Sequence, residues 1–249
     1  TEVDIASVSK QFTGLAVTML IDEGELEATD LVGDLVPASR PATDDLTVAE
    51  LLTHTSGLAD YGDLLPQEYD EPATQREAID AIARSQPTGS RGEFEYSNSN
   101  YVLLAEVVRA VSGEPLPDLL EEEVFGPLDL DMAVDPRGAW TQVGDGSIWT
   151  TPTELVTWSE QFWDQTLDGP KLPSALFDLE VPTGEDDGGT GERYGALVAT
   201  ARQVCRRLAD LGIGWLEDPC RTLDETARLR TDGVPMFWPL NAKTLMPGA

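Results

Sequence analysis

The sequence predicts a predominantly helical globular chain, on three observations. Its 249 residues, 41% hydrophobic and 25% charged, suffice for one large domain or two small ones with a substantial core. Several stretches open with a polar capping residue and continue as an apolar stripe at helical spacing. Alternating apolar and polar runs, which mark half-buried strands, are scarce.

In chain order, Phe12, Leu15, Ala16, Met19 and Leu20 place a first helix from about residue 7 to Glu23, with Gly24 as its stop. Thr47 with Glu50, Thr74 with Glu77, and Thr151 with Glu154 each pair a threonine and a glutamate three apart. In that arrangement the two side chains reciprocally satisfy free backbone N–H groups, so three helix starts are expected. Another helix is expected from about Tyr101 to Val111, with Leu104, Val107, Val108 and Val111 inward and Gly113 after it. A further one runs near Pro117 to Phe125, stopped by Gly126 and Pro127. Pro152 suits the first position of the helix after Thr151, and Leu155, Trp158 and Phe162 form its buried stripe. Pro87 to Gly92 and Gly184 to Gly191 read as turns, and residues 198–211 as a helix with Val204, Leu208 and Leu211 inward.

Sixteen Lys and Arg against 46 Asp and Glu give a net charge of −30, which repels a nucleic-acid backbone or anionic lipid across most of the surface. No nucleic-acid partner is expected. The longest apolar stretch, Gly14 to Ile21, falls well short of the roughly 18 residues of a membrane span. Two cysteines, Cys205 and Cys220, and a single histidine, His54, are too few for a disulfide scaffold or a cysteine zinc site, and no metal or cofactor is expected. The acidity has two readings: adaptation to high salt, where counterions screen self-repulsion, or an ordinary acidic protein. The chain starts at Thr1 without Met or a signal peptide, and reads as a processed form, an expression product or a fragment. Compartment and oligomeric state are not legible. Residues 1–197 hold 9 basic and 40 acidic side chains and residues 198–249 hold 7 and 6, so the composition divides near residue 198.

Ser7-Val8-Ser9-Lys10 reads S-x-x-K at a helix start, a spacing that stacks the lysine over the serine hydroxyl. A lysine that is partly desolvated near a helix N-terminus loses its proton more readily and can serve as the serine's base without histidine. Alone, the pattern reads as a capping serine and a solvated lysine. Tyr96-Ser97-Asn98 places a phenol and a carboxamide two apart on a loop; the phenol can relay a proton and the carboxamide can donate to and accept from an amide. Alone, it reads as turn chemistry with a capping asparagine.

Together, four stretches resemble the serine beta-lactamase-related family of class C beta-lactamases, DD-peptidases and esterases. They are Asp4 to Gly14, Leu51-Leu52-Thr53-His54-Thr55-Ser56-Gly57-Leu58, Tyr96-Ser97-Asn98, and Val143-Gly144-Asp145-Gly146 leading into Thr150-Thr151-Pro152. The resemblance runs through about Gly195 and implies an α+β, three-layer fold with the helical domain preserved and the antiparallel sheet incomplete or altered. It implies Ser7 as the acylated nucleophile, Lys10 as its activating partner, Tyr96 as proton relay and Asn98 as a contact to the substrate amide. The substrate would be a small molecule or peptide bearing an ester or amide, and the setting extracytoplasmic. Residues 1–197 would be the catalytic region and 198–249 an atypical C-terminal segment. His54 falls in a stretch the family uses structurally and reads as a buried or turn histidine rather than a base.

The chain departs from the family at both ends. Only Thr1 to Ala6 precede the S-x-x-K helix, where the family has further strands, and neither Lys-Thr-Gly nor His-x-Gly follows Tyr96. Glu225-Thr226-Ala227 is the best-placed candidate for that third motif; Lys243-Thr244-Leu245 lies too near the end. The expected function is therefore a serine hydrolase acting through an acyl-enzyme on Ser7. The alternative is a catalytically impaired relative acting, if at all, as a binding module.

Overall fold

The computed structural model describes residues 2–65, 73–136, 141–162, 165–172 and 181. The expectations for 184–191, 198–211 and 225–227, and the whole C-terminal segment, lie outside the described residues. The fold is α+β: a helical body accompanied by a small antiparallel sheet of order β1-β3-β2. The strands are β1 (Val3–Asp4), β2 (Ala133–Val134) and β3 (Ile148–Thr150), with Val3 opposite Thr150 and Ala133 opposite Trp149. At two or three residues each, they are too short to register as alternation in the sequence.

The chain leaves β1 through Ala6, which has a left-handed φ of 47°, into a 3₁₀ turn at Ala6–Ser9 and then helix α1 (Lys10–Asp22). The expected helix start near Ser7 is thus a tighter turn of three residues per repeat, which eclipses Ser7 and Lys10 more closely than an α-helix would. Phe12, Leu15, Ala16, Met19 and Leu20 are all buried, as are Thr13, Gly14 and Val17, so α1 is covered on nearly every side rather than along one stripe. That burial identifies it as the central helix. Gly24 follows with φ 77°.

Helix α6 (Asn98–Ser112) packs along α1, and α2 (Val32–Leu35), α3 (Val48–Leu52), α4 (Tyr61–Leu64) and α5 (Gln75–Arg84) pack on α6 in turn. The reciprocal caps expected at Thr47/Glu50 and Thr74/Glu77 are both formed. The third is half formed: Thr151 Oγ1 accepts the Glu154 N–H of α8 (Pro152–Glu160), but Glu154 Oε2 instead accepts the Asp131 N–H at 3.2 Å. The carboxylate exchanges a local bond for one that ties α8 to the segment leading into β2. Helix α6 begins three residues earlier than its apolar pattern indicates, because Asp60 supplies a carboxylate to the Asn98 N–H from outside the helix. It ends at Gly113, φ 81°. The helix expected near Pro117 to Phe125 is α7 (Leu116–Leu120), continued by a wide turn at Glu121–Phe125 that closes with the Gly126 N–H on the Glu121 carbonyl.

Phe12 is fully buried against Phe125, with ring centroids 5.5 Å apart, and Trp158, at 4.6 Å, and Trp158 in turn meets Phe162 at 5.5 Å. This aromatic chain joins α1, the wide turn and α8. Such pairs contribute about 0.5–1.5 kcal/mol each beyond area burial. Leu155, Trp158 and Phe162 are buried as their spacing indicates. Among the described residues no helix is long and apolar enough to cross a membrane.

Candidate active site

Ser7 and Lys10 meet because the 3₁₀ turn places them on one edge, and the lysine then extends into the protein: it is 1% exposed, whereas Ser7 is half-buried at the surface. A buried ammonium or amine needs partners for its N–H groups. Lys10 Nζ has three, Ser7 Oγ at 3.1 Å, Asn98 Oδ1 at 2.8 Å and the Asp145 carbonyl oxygen at 2.8 Å. It also lies 5.1 Å from the ring centre of Tyr96 and 5.8 Å from that of Tyr101. The Tyr96 hydroxyl donates to Ser7 Oγ at 2.8 Å. All four residues singled out in the sequence, Ser7, Lys10, Tyr96 and Asn98, therefore converge in one hydrogen-bonded group.

Two segments bring acceptors to Lys10. The first, Tyr96 to Asn98, is held from behind by His54. This histidine is fully buried in a left-handed turn, φ 55°, and its ring is sandwiched between Tyr96, at 4.4 Å, and Tyr101, at 5.1 Å. Its Nδ1 accepts from the Ser97 N–H at 3.2 Å and lies 3.0 Å from Asn100 Nδ2. Burial above all, and the nearby Lys10 charge, push its pKa well below the usual 6.5, so the ring is neutral. His54 is thus a buried turn histidine with Nδ1 already engaged. Asp60 completes the support: Oδ1 accepts the Gly62 N–H at the start of α4, and Oδ2 accepts the Asn98 N–H at 2.7 Å.

The second segment runs from Gln142 to Ser147. Gln75 pairs with the Val143 backbone as a strand would, donating to its carbonyl at 3.2 Å and accepting its N–H at 2.8 Å. The Thr13 hydroxyl donates to the Gly144 carbonyl at 2.6 Å. Gly144 has φ 111°, and a Cβ there would lie 2.2 Å from the Tyr101 carbonyl oxygen, so the residue has to be glycine for the loop to reach α6. The Tyr61 hydroxyl donates to Asp145 Oδ2 at 2.9 Å. Burial pushes the Asp145 carboxyl up, against the opposing pull of the Lys10 charge and the Tyr61 hydroxyl.

Ser7, Asp60, Tyr61, Asn98, Gln142 and Asp145 line an open cleft of about 200 Å³. Of these, Asp60, Tyr61 and Gln142 were not singled out by sequence reasoning. The signal for the first two was present but faint: an acid directly before an aromatic, two residues after the stretch His54 to Leu58, reads as an ordinary helix cap. Asp145 stood inside a quoted motif, but its contribution to Lys10 is a backbone carbonyl, which no side-chain pattern reports.

The sequence model described as Beta-lactamase matches residues 1–249. D-alanyl-D-alanine-carboxypeptidase/endopeptidase AmpH of Escherichia coli (strain K12) is 26% identical over 193 residues, covering 64% of this chain and 48% of that protein. Penicillin-binding protein 4 of Amycolatopsis lactamdurans is 29% identical over 133 residues, covering 51% of this chain and 34% of that protein. The chain thus spans half or less of the length of these relatives. Among solved structures, the D-amino acid amidase of Ochrobactrum anthropi SV3 superposes with a TM-score of 0.62 at 24% identity, covering 76% of this chain and 63% of that one, which shows a shared fold.

Proposed function

The chain belongs to the beta-lactamase family, and from that premise we propose that it is a serine hydrolase that opens an amide or ester through an acyl-enzyme on Ser7. The observation that carries this reading is the set of partners around Lys10 Nζ. The three acceptors around Nζ match the charged ammonium; in the neutral form that acts as base, two N–H groups and one lone pair remain. With Asn98 Oδ1 and the Asp145 carbonyl each 2.8 Å away to receive the N–H groups, the lone pair is left facing Ser7 Oγ. Lys10 then takes the Ser7 proton as Oγ bonds to the substrate carbonyl carbon, and the carbonyl oxygen gains the negative charge. When the intermediate collapses, the bond to the leaving amine or alcohol breaks. Tyr96, 2.8 Å from Ser7 Oγ, is placed to relay the proton that Lys10 took, giving its own hydroxyl proton to the leaving group and recovering one from Lys10. Water later releases the acid and restores Ser7.

The relatives point to the candidate substrates: D-alanyl peptides, lactams and D-amino acid amides. Residues 1–197 would carry this chemistry, with 198–249 as a separate segment. Intact mass after exposure to a fluorophosphonate or a penicillin tests the assignment. An adduct mapping to Ser7 is expected, absent in Ser7→Ala and severely slowed in Lys10→Ala; an adduct that survives Ser7→Ala overturns it.

A second reading, a relative that is labelled but turns over weakly, is favoured by the lack of Lys-Thr-Gly or His-x-Gly after Tyr96. The strand bearing that motif gives the family its second oxyanion-hole donor, and losing such a donor costs about 10²- to 10³-fold in kcat. Turnover of lactams and esters at ordinary family rates would exclude this reading.

A further inference from the structure

We propose that Tyr61 and the Asp145 carboxyl form a latch that positions Lys10, and that this latch sets the rate at which Ser7 is acylated. The inference rests on the reading above, in which Lys10 takes the Ser7 proton. Lys10 needs two acceptors besides Ser7, and one of them, the Asp145 carbonyl oxygen, belongs to a loop between two glycines, Gly144 and Gly146. Glycine leaves the backbone a wide choice of conformations, so the carbonyl must be aimed by bonds from elsewhere. Thr13 fixes Gly144, one residue away. The Tyr61 hydroxyl, on a side chain only 2% exposed, acts on Asp145 itself, donating to Oδ2 at 2.9 Å.

Tyr61 follows Asp60, whose carboxylate holds both the first turn of α4 and the Asn98 N–H. Two adjacent residues therefore aim the two acceptors of Lys10: Asp60 acts on Asn98 and Tyr61 on Asp145. A lysine amine shifted by about 1 Å loses its line to Ser7, a displacement that can cost up to about 10²-fold in rate. The groups facing Lys10 are Tyr96 and Asn98 of one segment, Asp145 of the other, Tyr101 of α6 and neutral His54 behind the tyrosines. None of these can replace the Asp145 carbonyl without moving backbone. Tyr61 and Asp145 are positioning residues in this account, because each acts through another group.

The test is inactivation by a fluorophosphonate, resolved into the maximal rate kinact and the half-saturating concentration KI, with the melting temperature measured for every variant. Tyr61→Phe and Asp145→Ala are each expected to lower kinact about tenfold with KI within about twofold. The double variant is expected to be no slower than either single one, since both break the same bond. Asp145→Asn keeps an acceptor for the Tyr61 hydroxyl and is expected to recover most of the loss. Unchanged kinact in the single variants, losses that multiply in the double variant, or an Asp145→Asn as slow as Asp145→Ala would overturn the latch. A wild-type chain that takes no label overturns the acylation reading and the latch with it. A labelled wild type with unaffected variants overturns the latch alone.

Discussion

The two segments that meet at Lys10 are built on opposite plans. Tyr96 to Asn98 presents side chains, a phenol and a carboxamide, and is held by ring stacking on His54 and by the Asp60 carboxylate. Gln142 to Ser147 presents a backbone carbonyl and is held by side chains that reach in from α1, α4 and α5: Thr13, Tyr61 and Gln75. Where the chemistry needs a particular functional group the sequence must specify it. Where it needs only an oxygen at a given point, what must be specified is the geometry, and glycine at 144 does that.

The sharpest way to break the comparison is Gly144→Ala. Its Cβ would lie 2.2 Å from the Tyr101 carbonyl oxygen and 2.9 Å from Ala105 Cβ, at a φ of 111°. A loss of about 3 kcal/mol or more is expected, combining backbone strain with the displacement of α6. Urea unfolding measures it; a loss below 1 kcal/mol would mean that the second segment is not fixed by this contact.

The first segment has its own, smaller signature in acid. The folded-state pKa of His54 lies well below its unfolded value of 6.5, so above pH 6.5 the residue is neutral in both states and its support is intact. As the pH falls below 6.5 the unfolded chain binds a proton that the folded one does not, and stability declines toward the folded pKa. About 1 kcal/mol is expected to be lost between pH 7.5 and 5.5. In His54→Gln, which is less stable at pH 7.5, that decline is expected to vanish. Chemical denaturation at the two pH values checks both statements, and an unchanged slope in the variant would reassign the acid sensitivity to other groups.

The smallest effect concerns the approach to the first segment. Arg91 pairs with Glu50 of α3, the glutamate that also closes the Thr47 cap. The arginine side chain is 49% exposed, and exposed pairs contribute about 0.2–1 kcal/mol. Arg91→Ala is expected to cost about 0.5 kcal/mol, with the loss shrinking in molar salt. A loss above 2 kcal/mol in thermal or chemical unfolding would show that the pair fixes the segment rather than trims it.

The same contrast explains what was legible in the sequence. Ser7, Lys10, Tyr96 and Asn98 were found because their roles require those functional groups at those spacings, and helices with a local cap, such as α3 and α5, were found for the same reason. Helix α6 was read as starting three residues late because its cap, Asp60, lies 38 residues away. Residues Asn98 to Asn100 have no strong helical preference of their own. The shared duty of Glu154, the strands of two and three residues, and the aim of the Asp145 carbonyl all arise from contacts between distant parts of the chain. No local pattern encodes them.

Tyr101 touches both plans at once. Its ring faces His54 and thus the first segment, its carbonyl oxygen leaves room only for a glycine in the second, and its hydroxyl is anchored on the Leu52 carbonyl at 3.1 Å. In evolutionary terms this couples the histories of positions 54, 101 and 144. A lineage that enlarges residue 144 must first move the α6 backbone, and doing so removes the second face of the histidine sandwich. The two sides of the site cannot drift independently, and substitutions at these three positions should arrive together or not at all.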